Sequence, residues 1–250
     1  MWSSCLYVSA FLLVAVYANP RKKASDYFAI CHTSDSDFND CVNNTLTTLR
    51  GEFIKGIPSL NLLPLEPLKI EKMELRQGTG EKFQMYQKLT NINIHGIGNY
   101  TIEHCNFDYK KKQWNHTQSY PYIKLEGDYE MDGKMLILPI KGNGKIRFLC
   151  TNVTTFSEVC FETFERNKEI YTRIKDYKLR IETKHAEVHL TNMFNGDRRL
   201  SEGVNRFLNS HWKEVFETYK ELPEKSFAEF MKKQMNCIFT TFPEKELFPE

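Results

Sequence analysis

Apolar residues recur at steps of three and four along residues 200–242, near the C-terminal end of the chain. That spacing places them on one face of an α-helix, while charged residues such as Arg206, Glu214 and Lys232 take the opposite face. Pro223 interrupts the run, but the apolar stripe keeps its phase across it. Because a proline within a helix usually kinks it, the pattern predicts one long helix bent at Pro223.

A shorter helical pattern lies near the N-terminus. Its apolar residues are spaced as on one helical face, at Phe38, Val42, Leu46, Leu49, Phe53 and Ile57. Serine and aspartate at 34–37 offer N-caps, and Gly56 and Pro58 are stop signals. Residues 57–68 contain three prolines, which predict an extended apolar strap rather than a helix.

Between residues 69 and 193 the pattern changes to segments typical of β-strands. The predicted strands cover residues 70–76, 82–95, 99–109, 122–131, 134–140, 145–153, 159–166, 171–182 and 186–193. Glycine-containing turns at 78–80, 132–133 and 142–144 predict hairpins, and therefore an antiparallel meander. The apolar alternation slips within 70–75 and between Ile181 and Ala186, which predicts bulges that bend the sheet. We therefore expect an α+β fold, in which a highly curved antiparallel sheet wraps the long C-terminal helix.

The first 18 residues have the pattern of a secretory signal peptide. Residues 5–16 are apolar, and small or medium residues precede Asn19, as before a cleavage site. A helix that spans a bilayer needs about 20 apolar residues, so this stretch is too short for an anchor. We expect a signal peptide over residues 1–18, followed by one extracellular, monomeric domain over residues 19–250 with no integral membrane association.

Cysteine usage agrees with secretion. Of the 7 cysteines, Cys5 leaves with the signal peptide, and an even number in a secreted chain favours disulfides. Cys31 and Cys41 are close in sequence and are predicted to pair. Three connectivities stay open for the other four, which are Cys105, Cys150, Cys160 and Cys237. Glycosylation sequons are present at Asn43, Asn99, Asn115 and Asn152.

Charge and motifs give little support for nucleic-acid binding or catalysis. The net charge of +2 gives no argument for a nucleic-acid partner. The chain contains neither the Gly-x-Ser-x-Gly elbow nor the His-Glu-x-x-His zinc motif. His185 and His189 flank Glu187 at a spacing that suits a helix, but the local pattern is strand and turn, which favours exposed polar residues. The sequence therefore predicts no catalytic residue, no metal, no cofactor and no enzyme activity.

Large side chains are the positive clue, since the chain has 18 Phe and 12 Tyr. An aromatic stripe at helical spacing is usually core, but a curved sheet closed over a long helix leaves an axial gap that suits a small apolar ligand. The predicted ligand contacts on the helix are Phe207, Trp212, Val215, Phe216, Tyr219, Phe227, Phe230 and Met231. Those on the strands are Ile137, Phe148 and Phe161. The Tyr219 hydroxyl is the candidate anchor for a ligand carbonyl or epoxide.

A series of motifs along the mature chain resembles the insect takeout and haemolymph juvenile-hormone-binding proteins. The motifs are Cys31…Cys41, Lys55-Gly56-Ile57-Pro58, Pro64-Leu65-Glu66-Pro67-Leu68-Lys69-Ile70, Leu125-Glu126-Gly127-Asp128-Tyr129-Glu130-Met131-Asp132-Gly133-Lys134, Leu138-Pro139-Ile140-Lys141-Gly142-Asn143-Gly144, Asn192-Met193-Phe194-Asn195-Gly196-Asp197, Asn205-Arg206-Phe207-Leu208-Asn209, Trp212 and Phe242-Pro243. Each motif is weak alone, but together and in this order they are specific.

The resemblance implies the tubular lipid-binding (TULIP-like) architecture, with a hydrophobic tunnel between helix and sheet. It implies a secreted carrier of juvenile hormone, another terpenoid, a fatty-acyl chain or a quinone-like lipid. Takeout relatives are associated with feeding, circadian output and chemosensation. The resemblance identifies Cys31–Cys41 as the family's N-terminal disulfide. The other four cysteines are not all part of the family pattern, so one or two further bridges are expected to be particular to this chain.

Three functions are compatible with these observations. The first is a secreted carrier that reversibly binds an elongated hydrophobic ligand in an internal tunnel, including a chemosensory or circadian carrier of odorant-like ligands. The second is an ester hydrolase acting on hormone-like esters, which would need a nucleophile and a base that the sequence does not offer. The third is an extracellular interaction protein whose helix stripe is fully packed. We expect the carrier.

Overall fold

The computed structural model describes residues 22–77, 85–135 and 138–250. Three of the expectations above lie wholly outside the described residues, namely the signal peptide over residues 1–18, the turn at 78–80 and the ligand contact at Ile137. The predicted strands 82–95 and 134–140 lie partly outside them.

The N-terminal part is helical where the apolar spacing predicts, but the pattern forms two helices that break at Leu49, and Ile57 lies beyond them. Helix α1 spans Phe38–Thr48 and helix α2 spans Arg50–Lys55. Gly56 ends α2 with φ +78, where a Cβ would lie 2.7 Å from the carbonyl oxygen of Leu62, so only glycine fits this close approach. The strap that follows contains a 3-10 turn at Pro58–Leu60, closed by an isolated antiparallel bridge between Ile57 and Leu62.

The predicted N-terminal disulfide is confirmed. Cys31 and Cys41 are bonded, which ties the N-terminal arm to α1. The expectation of further bridges is wrong, because Cys105, Cys150, Cys160 and Cys237 carry free thiols.

The centre of the molecule is a 6-stranded antiparallel sheet with the strand order β1-β2-β4-β5-β6. The strands are β1 Leu68–Gln77, β2 Met85–His95, β3 Thr101–Asp108, β4 Gln113–Met135, β5 Leu138–Arg166 and β6 Glu169–Leu190. Strand β3 pairs with residues 113–119 of β4, and β2 pairs with residues 124–132 of the same strand. Two short strands therefore share one edge of the long β4.

The strands are longer and fewer than the sequence pattern predicts. The predicted turns at 132–133 and 142–144 lie inside strands, since Asp132 pairs with Lys141 and Gly144 pairs with Tyr129. Gly144 does not form a turn; it lies where another segment of the same chain passes close to β5. A Cβ there would lie 2.4 Å from the carbonyl oxygen of Thr191, where the chain leaves β6.

Bulges bend the sheet, but at other places than predicted. The β1–β2 register is regular through residues 70–75, and the β5–β6 register is regular between Ile181 and Ala186. Register shifts occur at 90–93 between β2 and β4, at 102–104 between β3 and β4, and at 160–161 between β5 and β6. In β6 the pairing with β5 stays regular here, but the less exposed side chains change from odd-numbered to even-numbered residues between His185 and Ala186.

The C-terminal stripe forms a helical path of three segments in place of one bent helix. Helix α3 spans Arg198–Ser210, α4 spans Trp212–Tyr219 and α5 spans Glu221–Phe239. The interruptions fall at His211 and Lys220. Pro223 lies in the first turn of α5 and has no N–H to donate to the carbonyl of Tyr219, which explains the break at Lys220. The short helix α6, Glu244–Leu247, follows.

Asparagine side chains of these helices bind the free edge of β6. Asn205 accepts from the Leu190 N–H and donates to the Leu190 carbonyl, both at 2.9 Å. Asn209 does the same at Val188, at 2.8 and 2.9 Å. Asn236 binds the N–H and carbonyl of Ile174 at 2.7 and 3.4 Å. These amides fix the helices across the sheet and cover an edge that would otherwise offer unpaired backbone groups.

The curved face of the sheet and the helices enclose the apolar core. One cluster surrounds Leu190, Met193 and Leu208, beneath α3. At the opposite end, another cluster surrounds Phe107 and Trp114, beneath α1 and α5. Within the part of the chain that the structure describes, no helix is both long and apolar enough to cross a membrane.

Candidate ligand-binding site

An apolar cavity of about 230 Å³ lies at the α1 end of the molecule. Helix α1 and the second half of α5 form two of its walls, and strands β3 and β4 form a third. Its apolar lining consists of Phe28, Ala29, Ile30, Val42, Leu46, Leu49, Phe53, Leu62, Leu63, Leu65, Ile102, Phe107, Trp114, Met231, Met235, Ile238, Phe239, Leu247 and Phe248, beside Cys31 of the disulfide.

Helical and strand periodicity place these side chains. Val42, Leu46 and Leu49 share one face of α1, and Met231, Met235 and Ile238 share one face of α5. The disulfide holds the N-terminal arm beside α1, and its Cys31 lines the cavity. The cavity therefore depends on elements from both ends of the chain.

The C-terminal segment after α6 contributes Phe248 to the wall of the cavity. The ring of Phe248 lies 5.2 Å from that of Phe107 and 5.8 Å from that of Phe239, measured between centroids. The N–H of Thr33 donates to the carbonyl of Pro249 at 2.8 Å. This contact fixes the end of the described chain against the N-terminal arm.

The polar part of the lining is small and uncharged. It consists of Thr45, Tyr100, His116, Gln118 and Gln234. Among the described residues that line the cavity, none is Asp, Glu, Lys or Arg. Tyr100 donates to the carbonyl of Leu46 at 3.1 Å, and Gln234 accepts from the Leu63 N–H at 2.8 Å. Both tie the cavity walls together.

His116 is 5% exposed and carries no charge at neutral pH. Burial lowers the pKa of its imidazole to about 4, because the charged ring would lose its hydration. Its Nε2 lies 3.4 Å from the hydroxyl of Tyr177, which donates to Ser157 at 3.0 Å. Its Nδ1 is buried and has no hydrogen-bond partner. The ring of Trp114 lies 4.6 Å away, between centroids.

The buried His116 predicts a loss of stability in mild acid. Its pKa is about 4 in the folded chain and near 6.5 in the unfolded chain. Between these pH values His116 binds a proton in the unfolded chain but not in the folded chain. The free energy of unfolding therefore falls as the pH drops below 6.5, until about pH 4. The expected loss from this residue is about 2 kcal/mol between pH 7.5 and pH 5. Urea unfolding at the two pH values measures it.

The matched variants for this measurement are His116→Gln and His104→Gln. His116→Gln removes the titrating group and should flatten the pH dependence by about the same 2 kcal/mol. His104→Gln makes the same chemical change at an exposed position of β3 and is the control for the loss of a histidine. An equal pH dependence in the His116→Gln variant and the unaltered protein would refute the assignment.

The structure distributes the predicted ligand contacts over three places. Met231 lines the cavity. Phe161 is buried beside it, with its ring 5.1 Å from that of Phe107. Towards the α3 end of the sheet, the side chains that pack on the core are Phe207, Val215, Tyr219, Phe227 and Phe230. Between the two ends lie Trp212, Phe216 and Phe148.

Sequence reasoning missed the walls contributed by α1, β3 and β4. The apolar face of Val42, Leu46 and Leu49 was visible as a helix signal, but nothing in it distinguishes a cavity wall from core. The polar residues His116 and Gln118 alternate on β4 with Asn115, which is exposed, and with Thr117 and Ser119, which are half-buried. Their position inside the molecule follows from the pairing of β3, β4 and β5, which is a long-range property.

The described residues also contain no group of three His, Cys, Asp or Glu side chains that could hold a metal ion. His185 and Glu187 lie on strand β6, where the local pattern predicted strand and turn. The His185 Nε2 lies 3.2 Å from the Glu187 Oε1 at the surface.

Comparison with known proteins gives one family and one fold. A family model described as haemolymph juvenile hormone binding protein matches residues 9–249. Two relatives, from Drosophila yakuba and Drosophila melanogaster, are described as circadian clock-controlled protein daywake. Each is 22% identical over 215 residues, which are 83% of this chain and 83% of the relative. The crystal structure of Epiphyas postvittana takeout 1 matches with a TM-score of 0.76 and 23% identity, over 88% of this chain and 99% of that chain. At that identity the likeness shows the fold.

Proposed function

The chain belongs to the haemolymph juvenile hormone binding protein family, and from that membership we propose that it is a carrier that reversibly binds a small hydrophobic molecule in its apolar cavity. The observation that supports this proposal most is the cavity of about 230 Å³ between α1, α5 and the sheet. Its lining is apolar apart from a few uncharged polar groups, which is the composition of small-molecule sites. Binding would be driven by the burial of apolar surface.

The size of the cavity bears on the size of the ligand. A cavity of about 150 Å³ suffices for benzene, so 230 Å³ accommodates a larger molecule, such as a medium-length acyl or terpenoid chain. A longer juvenile-hormone-like, fatty-acyl or quinone-like ligand needs more room. We propose that the tail of such a ligand lies along the half-buried side chains Phe207, Trp212, Val215, Tyr219, Phe227 and Phe230, beside Phe148, Phe161 and Phe216.

Uptake of a neutral fluorescent probe tests the carrier function. Titration of the folded, full-length protein with N-phenyl-1-naphthylamine should give saturable fluorescence, with one site per chain. Medium-chain apolar compounds should displace the probe competitively. A folded protein that neither takes up the probe nor binds these compounds by calorimetry would contradict the proposal.

We also propose that the protein is secreted, and its sequons then make a testable prediction. Asn99, Asn115 and Asn152 are exposed, whereas Asn43 is half-buried within α1 with its side-chain oxygen fully buried. An oligosaccharide needs an exposed amide, so we expect glycans at the first three and none at Asn43. Peptide mapping after enzymatic deglycosylation of protein secreted from insect cells measures this. A glycopeptide that contains modified Asn43 would show the prediction to be wrong.

A further inference from the structure

Two uncharged polar side chains lie next to each other on the strand wall of the cavity. His116 and Gln118 are alternate residues of β4, so both side chains point to the same face of the sheet, about 7 Å apart along the strand. The other residues of this wall, Ile102, Phe107 and Trp114, are apolar. The polar pair is therefore a local feature of an otherwise apolar surface.

Of the two side chains, Gln118 has a hydrogen-bonding group to spare for a ligand, whereas the unpartnered nitrogen of His116 is fully buried. The Gln118 amide oxygen accepts from the Tyr120 hydroxyl at 3.0 Å, which leaves its NH2 group without a partner among the described residues. The Tyr177 hydroxyl donates to Ser157 and so presents its oxygen to His116 Nε2. The proton of the neutral ring then lies on Nε2, and the unpartnered Nδ1 is an acceptor.

We propose that Gln118, beside the uncharged His116, forms a head-group subsite that selects a neutral oxygen-bearing ligand, such as an alcohol, ester or ketone, over an ionised carboxylate. This inference rests on the proposed carrier function. The Gln118 NH2 donates to the oxygen of the head group.

The cavity favours a neutral ligand over an ionised carboxylate because the described residues of its lining carry no positive charge. No Lys or Arg is among the described residues around the cavity, and His116 is neutral. The nearby Arg50 donates to the backbone carbonyl of Tyr100 at 3.1 Å and lies at the surface. An ionised carboxylate in the cavity would lose its hydration without gaining a counter-ion, which is costly. An alcohol of the same chain length loses much less.

Competition between ligands of equal length tests the selection on the unaltered protein. Octan-1-ol, octanoate and octane displace N-phenyl-1-naphthylamine from the full-length protein at pH 7.5. We expect octan-1-ol to bind at least about 10-fold more tightly than octanoate. Octanoate binding as tightly as octan-1-ol would overturn the proposal. A folded protein that binds none of the three and no probe would instead contradict the carrier function itself, and the subsite with it.

Variants on one strand assign the selection to the subsite. Gln118→Leu should weaken octan-1-ol binding about 5-fold to 10-fold and change octane binding less than 2-fold, because it removes the donor and keeps the apolar wall. Gln113→Leu changes the same residue type at an exposed position of β4 and should alter neither affinity. If Gln118→Leu leaves the ratio of the octan-1-ol and octane affinities unchanged, Gln118 does not bind the head group.

Discussion

Replacing Leu49 by tryptophan is expected to weaken the binding of an apolar ligand about 50-fold. Leu49 lines the cavity at the junction of α1 and α2, and the indole would occupy space that the ligand needs. A buried methylene contributes about 0.8 kcal/mol, so the exclusion of three methylene groups costs about 2.4 kcal/mol, which corresponds to roughly 50-fold in affinity. Titration with the fluorescent probe, followed by displacement with octan-1-ol, measures the effect.

The chain offers a matched control for this substitution. Leu200 is 53% exposed on α3, so Leu200→Trp makes the same chemical change away from the cavity. It should bind the probe as the unaltered protein does. Circular dichroism shows whether both variants are folded. If folded Leu49→Trp protein keeps full affinity, the ligand does not occupy this cavity.

Replacing Asn205 by alanine is expected to destabilise the protein by about 3 kcal/mol. Its side chain binds both the N–H and the carbonyl of Leu190, and the residue is 8% exposed. Removing the amide leaves two backbone groups of β6 buried and unpaired, at about 1–3 kcal/mol for each. It also releases α3 from the sheet edge. Urea unfolding monitored by tryptophan fluorescence measures the change.

Two further variants calibrate this loss. Asn44 is exposed on α1, and Asn44→Ala should change the free energy of unfolding by less than about 0.5 kcal/mol. Asn209 makes the same pair of bonds at Val188 but is only half-buried, so Asn209→Ala should fall between the other two. A loss below 1 kcal/mol in Asn205→Ala would show that the amide contacts do not hold the helices on the sheet.

Local patterns of the sequence predicted most of the fold. Helices α1 and α2 follow from the apolar spacing, and the stop of α2 at Gly56 follows from a glycine with positive φ. The curved antiparallel sheet around C-terminal helices is the fold that the resemblance implied, and the match to takeout 1 confirms it. The Cys31–Cys41 bond was also predicted correctly.

The errors occur where distant parts of the chain meet. Gly142 and Gly144 resemble turn residues in the sequence. In the structure they lie inside β5, where the segment after β6 passes too close to leave room for a Cβ. The break at His211 has no proline or glycine to signal it. The cavity combines α1, β4 and α5, which are far apart in sequence, and of the predicted ligand contacts Met231 lies in its lining. A wall residue and a core residue have the same local pattern.

Native mass spectrometry of the full-length protein, secreted from insect cells and purified without detergent, shows most directly whether the protein carries a ligand. We expect one small apolar molecule bound per chain, which is lost on unfolding, and which octan-1-ol replaces at saturating concentration. A folded chain that shows only its own mass and glycans, before and after addition of octan-1-ol, would contradict the presence of a ligand-binding cavity.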